Sequence, residues 1–480
     1  MATSFSSSSL LLLLGLGVGY ASALNGFVNI SDHEGCIHMP IIHSTNTNYF
    51  SKRAVEVQLA NRSDVAYYAQ LDIGSPAQSV FVQLDTGSFE LWVNPDCTTV
   101  SGSDARFCQG VGQYDPSKSS SAQSLGTGKV LTYGIGSANI TYFRDTIALP
   151  GTTDGLKNVQ FGVATSSNDE FAGILGIGYG EGLATKYKNF IDELQAQNTT
   201  KVKAYTLALG SKDEQEGVIV FGGVDTSKFA GGLAKLPIIP AAQSPDQVPR
   251  YWVNMNSISL SPPSGKNKTY TGSNVPVFLD SGSTMTLLPS SLSSAIAADF
   301  GNARADANGF YQVDCSLTSV QGTLDFAFDG TTIHVPYKEL VRVVGSGSSA
   351  TCFLGISPSS SFTLLGDTFM RSAYTVFDLE GNNVWMTQAA SCGSTPAALN
   401  TVDVLATLQG ACGTSRSVTS PSSSSSTVAS PGSSKTTTSS GTASTSGTAT
   451  TTTGNAAART AGSGSMLGWF MVCAALACML

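Results

Sequence analysis

Two stretches of this 480-residue chain run from an apolar segment into an acid. Val80-Phe81-Val82-Gln83-Leu84 leads into Asp85-Thr86-Gly87-Ser88, and Val277-Phe278-Leu279 leads into Asp280-Ser281-Gly282-Ser283. Taken singly, Asp and Gly at a strand end make an ordinary turn. Gly permits that turn and lets backbone N–H groups approach the carboxylate. If the two turns face each other about a pseudo-two-fold axis, Asp85 and Asp280 meet. Two carboxylates in contact cannot both ionise cheaply, so they share one proton. The ionised member can then take a proton from a lodged water while the protonated one polarises a carbonyl. That chemistry hydrolyses an amide without histidine, metal or covalent intermediate.

The elements that would position the two acids also repeat. Each motif is followed about ninety residues later by an apolar pair and Gly, Ile174-Leu175-Gly176 and Leu364-Leu365-Gly366. Two matching blocks so far apart point to two similar lobes and not to a solenoid, whose repeats are much shorter. The junction is expected near residues 240–249, a loop-like stretch with three prolines. Strands are expected over 65–72, 78–84, 130–133, 139–149, 205–209 and 218–221, rich in β-branched and aromatic residues and separated by turn residues such as Gly74-Ser75-Pro76. Helices are few, at 184–197 and 292–300. The fold class is all-β.

Composition narrows the chemistry further. The chain is 41% hydrophobic and only 12% charged, with 50 Gly, which leans towards turn-rich β structure. A net charge of -8 without a long Lys/Arg run argues against nucleic-acid binding. Of four histidines, His33, His38 and His43 cluster near the N-terminus and only His334 lies in the body. A Ser/His/Asp or Cys/His relay or a His-rich zinc site lacks raw material, and HExxH, GxSxG, GxGxxG and CxxC are all missing. No metal or cofactor is expected. A glycosidase, which also pairs carboxylates, would want an aromatic-rich cleft, and four Trp offer little.

The ends read as addresses. Residues 11–19 are an apolar core followed by Ala21-Ser22-Ala23, so residues 1–23 are expected to be a signal peptide. Lys52-Arg53 then marks the end of a pro-segment over 24–53. The three clustered histidines suggest that protonation near pH 6 loosens that segment. Lobes are expected over 54–240 and 241–395, and a Ser/Thr-rich stalk over 396–455, too polar to offset its ordering entropy. Residues 456–480 end in an apolar tail from Met466. At ~1.5 Å per residue that tail covers about 22 Å, short of a ~30 Å hydrocarbon core. A short terminal tail behind small residues and a polar spacer fits a GPI-attachment signal, with Asn455 as the attachment site and Gly454 or Gly462 as alternatives. Of nine cysteines, Cys97, Cys108, Cys315, Cys352, Cys392 and Cys412 stay in the body. Six allow fifteen pairings, and nearest-neighbour pairing is the working hypothesis. Asn61, Asn139, Asn198 and Asn267 are candidate N-glycosylation sites.

The two acid motifs, with their surroundings from about Tyr67 to Ala390, resemble those of the pepsin-like aspartic proteases. The resemblance implies a bilobal β fold with an active-site cleft between the lobes and Asp85 and Asp280 as catalytic pair. It implies that Ser88 and Ser283 hydrogen-bond the outer carboxylate oxygens, and that Thr86 and Ser281 form a cross-lobe hydroxyl grip. Tyr133-Gly134-Ile135-Gly136-Ser137 is similar to the family's flap, with Tyr133 bonded to Trp92. Cys97–Cys108 and Cys315–Cys352 fall where the family often has disulfides. Phe89-Glu90 departs from the usual pattern, so contacts on the flap side are expected to differ. Stalk, tail and dibasic site together resemble the yapsin-type, GPI-anchored fungal branch. That implies a monomeric enzyme on the outer face of the plasma membrane or in the cell wall, acting on peptide or protein substrates at acid pH and preferring basic residues near the cut. A silent relative that only binds peptides is the alternative.

Overall fold

The computed structural model describes residues 31–33, 35–43 and 66–413, apart from 150, 151, 153, 154, 215, 303, 346 and 362. The signal peptide, Lys52-Arg53, Asn61, the attachment site and the tail lie outside these residues. Strands dominate, as the alternation of apolar and turn residues requires. The expected segments appear as Tyr67–Ile73, Gln78–Asp85, Gln123–Thr132, Ser137–Ala148, Ala204–Ala208 and Glu216–Phe221.

A fourteen-stranded sheet runs through the body, from Ala234–Pro237 at one edge to Gln123–Thr132 at the other. In its middle, Cys36–His43 is wedged between Glu216–Phe221 and Tyr67–Ile73, pairing antiparallel with both. Part of the segment expected to be a removable pro-peptide is therefore a buried strand, with Ile41 and His43 both fully buried. The second half carries a five-stranded sheet of Trp252–Met255, Val275–Leu279, Leu364–Leu365, Thr286–Pro289 and Ile356–Ser359. Beside it lies a four-stranded sheet built on Ser257–Ser261 and Thr323–Phe328.

Two boundaries move and one helix is new. The helix expected over 184–197 spans only Phe190–Ala196, because Asn189 and Asp192 close a capping box and start it there. Gly102–Gly110 is a helix that the apolar pattern did not reveal, closed off by the Cys97–Cys108 bridge. The stalk expected from 396 is corrected for 396–413. Pro396–Ala398 pairs with Gly223–Asp225, and Gln409–Ala411 pairs with Ala230–Gly232. Leu399 and Leu405 are buried there, apolar anchors that a count of small residues overlooks. All three nearest-neighbour disulfides are present: Cys97–Cys108, Cys315–Cys352 and Cys392–Cys412. Asn139, Asn198 and Asn267 are exposed, as glycosylation would need. Among the described residues no helix is long and apolar enough to cross a membrane.

Candidate active site

Each acid ends a strand that the repeated Leu-Gly unit holds in place. Gln78–Asp85 runs parallel to Gly173–Gly176, with Leu84 opposite Leu175 and Asp85 opposite Gly176. Val275–Leu279 runs parallel to Leu364–Leu365, with Leu279 opposite Leu365. All four leucines are fully buried, so each strand end is fixed by packing on both faces. The glycines of the unit have a steric cause. A Cβ on Gly176 would stand 2.6 Å from the backbone nitrogens of Phe89 and Glu90, and one on Gly366 would stand 2.3 Å from the Ser283 carbonyl oxygen. The loop after each Asp folds tightly over the glycine of its partner strand.

The two acid turns press into one another. A Cβ on Gly87 would lie 2.6 Å from Asp280 Oδ1, and one on Gly282 would lie 2.5 Å from Asp85 Oδ1. Gly is needed at both places because the opposite carboxyl occupies the space of a side chain. Each motif glycine also donates its N–H to its own Asp, Gly87 to Asp85 Oδ1 at 2.7 Å and Gly282 to Asp280 Oδ1 at 3.0 Å. Beneath them Thr86 Oγ1 donates to the Leu279 carbonyl and Ser281 Oγ to the Leu84 carbonyl, both at 2.9 Å. Ser281 N donates in turn to Thr86 Oγ1 at 2.9 Å, and Thr86 N to Ser281 Oγ at 3.2 Å.

Burial and then the neighbouring charge of Asp280 push the Asp85 carboxyl up to about 7. The Gly87 N–H bond pulls the other way without overcoming this. Over the acid range one proton therefore stays on the pair. The two serines are not equivalent. Ser283 Oγ donates to Asp280 Oδ2 at 2.8 Å. Ser88 Oγ is buried and has no hydrogen-bond partner among the described residues, so the symmetric arrangement expected from the sequence is not met on this side.

The hairpin of Gln123–Thr132 and Ser137–Ala148 carries Tyr133 and Gly134 at its turn, closed by Tyr133 N donating to Gly136 O at 3.1 Å. Gly136 takes φ +79°, a conformation that favours glycine. Trp92 is fully buried and its Nε1 donates to Tyr133 Oη at 2.7 Å, bringing the hairpin turn against the strand that follows the first motif.

Sequence reasoning missed two acids. Glu90, noted only as a departure, is buried and receives Tyr142 Oη at 3.1 Å, Tyr187 Oη, and Lys129 Nζ of the hairpin at 3.0 Å. Glu170 is 8% exposed and has no hydrogen-bond or ion-pair partner among the described residues. A Cβ on Gly136 would stand 2.7 Å from its Oε1, so it lies against the hairpin turn. Burial, then the charges of Asp85 and Asp169, raise it well above the usual carboxylate range. The polar run Ser166-Ser167-Asn168-Asp169 before it makes it look like a loop acid, and only its burial against the hairpin turn marks it. No group of three or more His, Cys, Asp or Glu able to hold a metal occurs among the described residues.

Two lobes with matched strand ends, a reciprocal pair of aspartates and a hairpin beside them define an aspartic-type endopeptidase, a hydrolase of peptide bonds. The sequence pattern of the eukaryotic aspartyl proteases matches residues 66–389, and the chain belongs to that family. It is 36% identical to candidapepsin-3 of Candida albicans over 357 residues, covering 72% of this chain and 84% of that protein. It is likewise 36% identical to secreted aspartic protease 8 of Candida albicans over 342 residues, covering 70% and 78%. In fold it is similar to the crystal structure of an aspartic proteinase from Irpex lacteus, with a TM-score of 0.55 at 22% identity over 68% of this chain and 95% of that one.

Proposed function

We propose that this chain is a secreted, cell-surface-anchored aspartic endopeptidase, made as a zymogen and active at acid pH as a monomer. The observation that carries the reading is the reciprocal approach of Asp85 and Asp280, each filling the space that a side chain on the other's motif glycine would need. In the proposed reaction a water is held between the two carboxyls. The ionised carboxyl takes its proton as the oxygen attacks the scissile carbonyl carbon, while the protonated carboxyl donates to the carbonyl oxygen. Collapse of the tetrahedral species breaks the C–N bond, and the proton gained from water passes to the leaving nitrogen. Tyr133, held by Trp92, covers the bound peptide.

Secretion is supported by the leader-like residues 1–23, by three disulfides and by relatives whose names call them secreted. Surface anchoring is supported by the Ser/Thr-rich run 414–454 and the short apolar tail, with attachment at Asn455. The zymogen reading rests on Lys52-Arg53 following a strand, Cys36–His43, that is seated in the main sheet. Preference for basic residues near the cut is supported by the resemblance to the yapsin-type branch and by the acidic balance of the chain, with a net charge of -8.

The test is hydrolysis of a peptide at pH 4 with and without pepstatin, alongside Asp280→Asn. Inhibition and loss of turnover are expected, and pepstatin-resistant turnover surviving in the variant overturns the proposal. Release from cells by a phosphatidylinositol-specific lipase, with an alkali control for acylated anchors, tests the anchor separately.

A further inference from the structure

We infer that Arg250 reads a carboxylate on the substrate at one position beside the scissile bond. The inference rests on the endopeptidase reading above and adds to it a second, oppositely charged determinant. Arg250 closes the linker between the lobes, one residue before the buried Tyr251. Its Nη1 donates to the carbonyl of Gly87, two residues from Asp85. Its guanidinium carbon lies 5.2 Å from the centroid of Phe278, two residues before Asp280, and 5.7 Å from that of Phe89. One cation thus touches the approaches to both catalytic turns.

The group is held firmly. Arg250 Nε donates to Asp246 Oδ2 at 2.8 Å. The other oxygen of Asp246 is engaged by Trp252 Nε1 at 2.9 Å, Val248 N at 3.1 Å and Ser244 Oγ at 3.2 Å. Asp246 is therefore spread over several donors and meets the guanidinium through a single bond. The remaining N–H donors of Arg250 have no partner among the described residues, and its side chain is 26% exposed. The aromatic faces of Phe89 and Phe278 shield the cation from water, which strengthens what its open edge can bind. A planar fork with free N–H groups matches a carboxylate in geometry as well as charge. A Lys or Arg at the same substrate position meets like charge and is disfavoured. Phe89, where the chain departs from the usual pattern, sets its ring against the guanidinium.

The carboxylate could be an internal Asp or Glu side chain or the free end of a peptide. The test uses the processed enzyme produced from its full chain and a set of amidated peptides. In these, one of three positions on either side of the cut carries Glu, Gln or Lys, and every other residue is neutral. A matched free-acid peptide ending shortly after the cut probes the terminal source. At pH 5.5, where a substrate Glu is ionised, we expect kcat/KM for Glu to exceed that for Gln about tenfold at one position, with Lys worst there. The ratio shrinks at pH 3.5 as that Glu gains a proton. Arg250→Leu brings the ratio to about one, and Arg250→Lys, which keeps charge but loses the fork, retains part of it. Should Arg250→Leu fail to fold, Arg250→Gln reads the same ratio. A wild-type Glu-to-Gln ratio below about two at every position and at the free end, or a ratio that survives loss of the guanidinium, overturns the inference. No pepstatin-sensitive cleavage of the all-neutral peptide would instead overturn the endopeptidase reading.

Discussion

Thr86 and Ser281 bind each other's strands by the same two bonds in reverse. Each hydroxyl donates at 2.9 Å to the carbonyl two residues before the other, and each accepts from the other's backbone N–H. The lobes are joined under the catalytic pair by side chains with no solvent to replace them, for Thr86 and Ser281 are both essentially unexposed. Ser281→Ala leaves the Leu84 carbonyl and the Thr86 N–H unmet, at a cost of about 1–3 kcal/mol for each group. The variant should melt several degrees lower and lose kcat more than it gains KM, because the two acids lose their common floor. Ser281→Thr keeps the hydroxyl and should stay near wild type. Equal activity of the Ala and Thr variants would show that the grip does not set the dyad.

Asp85 gives the pH dependence its sign. Its carboxyl goes from 3.8 in the unfolded chain to about 7 in the fold, through burial and then Asp280. The folded state holds the proton more tightly, so the contribution of this group is fully present below about pH 4 and is lost as pH rises towards 7. Thermal melts of the wild type should fall between pH 4 and 7, and Asp85→Asn should flatten that fall while lowering kcat by about 10²–10⁴-fold. A fall of unchanged size in the variant would assign it to other groups, Glu170 first among them.

The flap contact is a single bond whose worth can be read directly. Tyr133→Phe removes the oxygen that accepts from Trp92 Nε1 but keeps the ring. One partly buried hydrogen bond contributes about 1 kcal/mol, so kcat/KM should fall roughly fivefold. Tyr133→Ala also removes the ring and should fall further, chiefly through KM. A Phe variant indistinguishable from wild type would mean that the Trp92 bond does not hold the hairpin in its working position.

What the sequence revealed about the site follows from locality. Strand ends, Asp-Thr-Gly and Asp-Ser-Gly turns and the Leu-Gly units are short patterns set by packing on both faces, so Leu84, Leu175, Leu279 and Leu365 were legible as a repeat. Glu170 and Arg250 were not, because each depends on contacts far along the chain, Glu170 with the turn at Gly136 and Arg250 with Gly87 and Phe278. The strand Cys36–His43 shows the same limit. Its register with Glu216–Phe221 is fixed by a partner nearly 180 residues away, beyond any window of periodicity. The reason Gly87 and Gly282 must be glycine was also only half visible. The sequence indicates a turn, whereas the structure adds the opposite carboxyl filling the space.

The C-terminal extension 396–413 extends this contrast between small-residue composition and long-range contact to stability. Its strands pair with Gly223–Asp225 and Ala230–Gly232, and Leu405 is fully buried among the residues around Phe229 and Trp385. Cys392–Cys412 closes this excursion over 20 residues of sequence. Loop-closure entropy alone gives about 3 kcal/mol for a bridge of that span, and about 4 for Cys315–Cys352, which spans 37. Replacing Cys392 and Cys412 together by Ser should therefore lower the denaturation midpoint in urea while leaving peptide hydrolysis at pH 4 intact, since neither residue nears the dyad. Leu405→Ala removes a buried side chain from the same segment and should cost about 2–5 kcal/mol. If both changes left the midpoint where it was, the extension would be an appendage to the protease and not part of its fold.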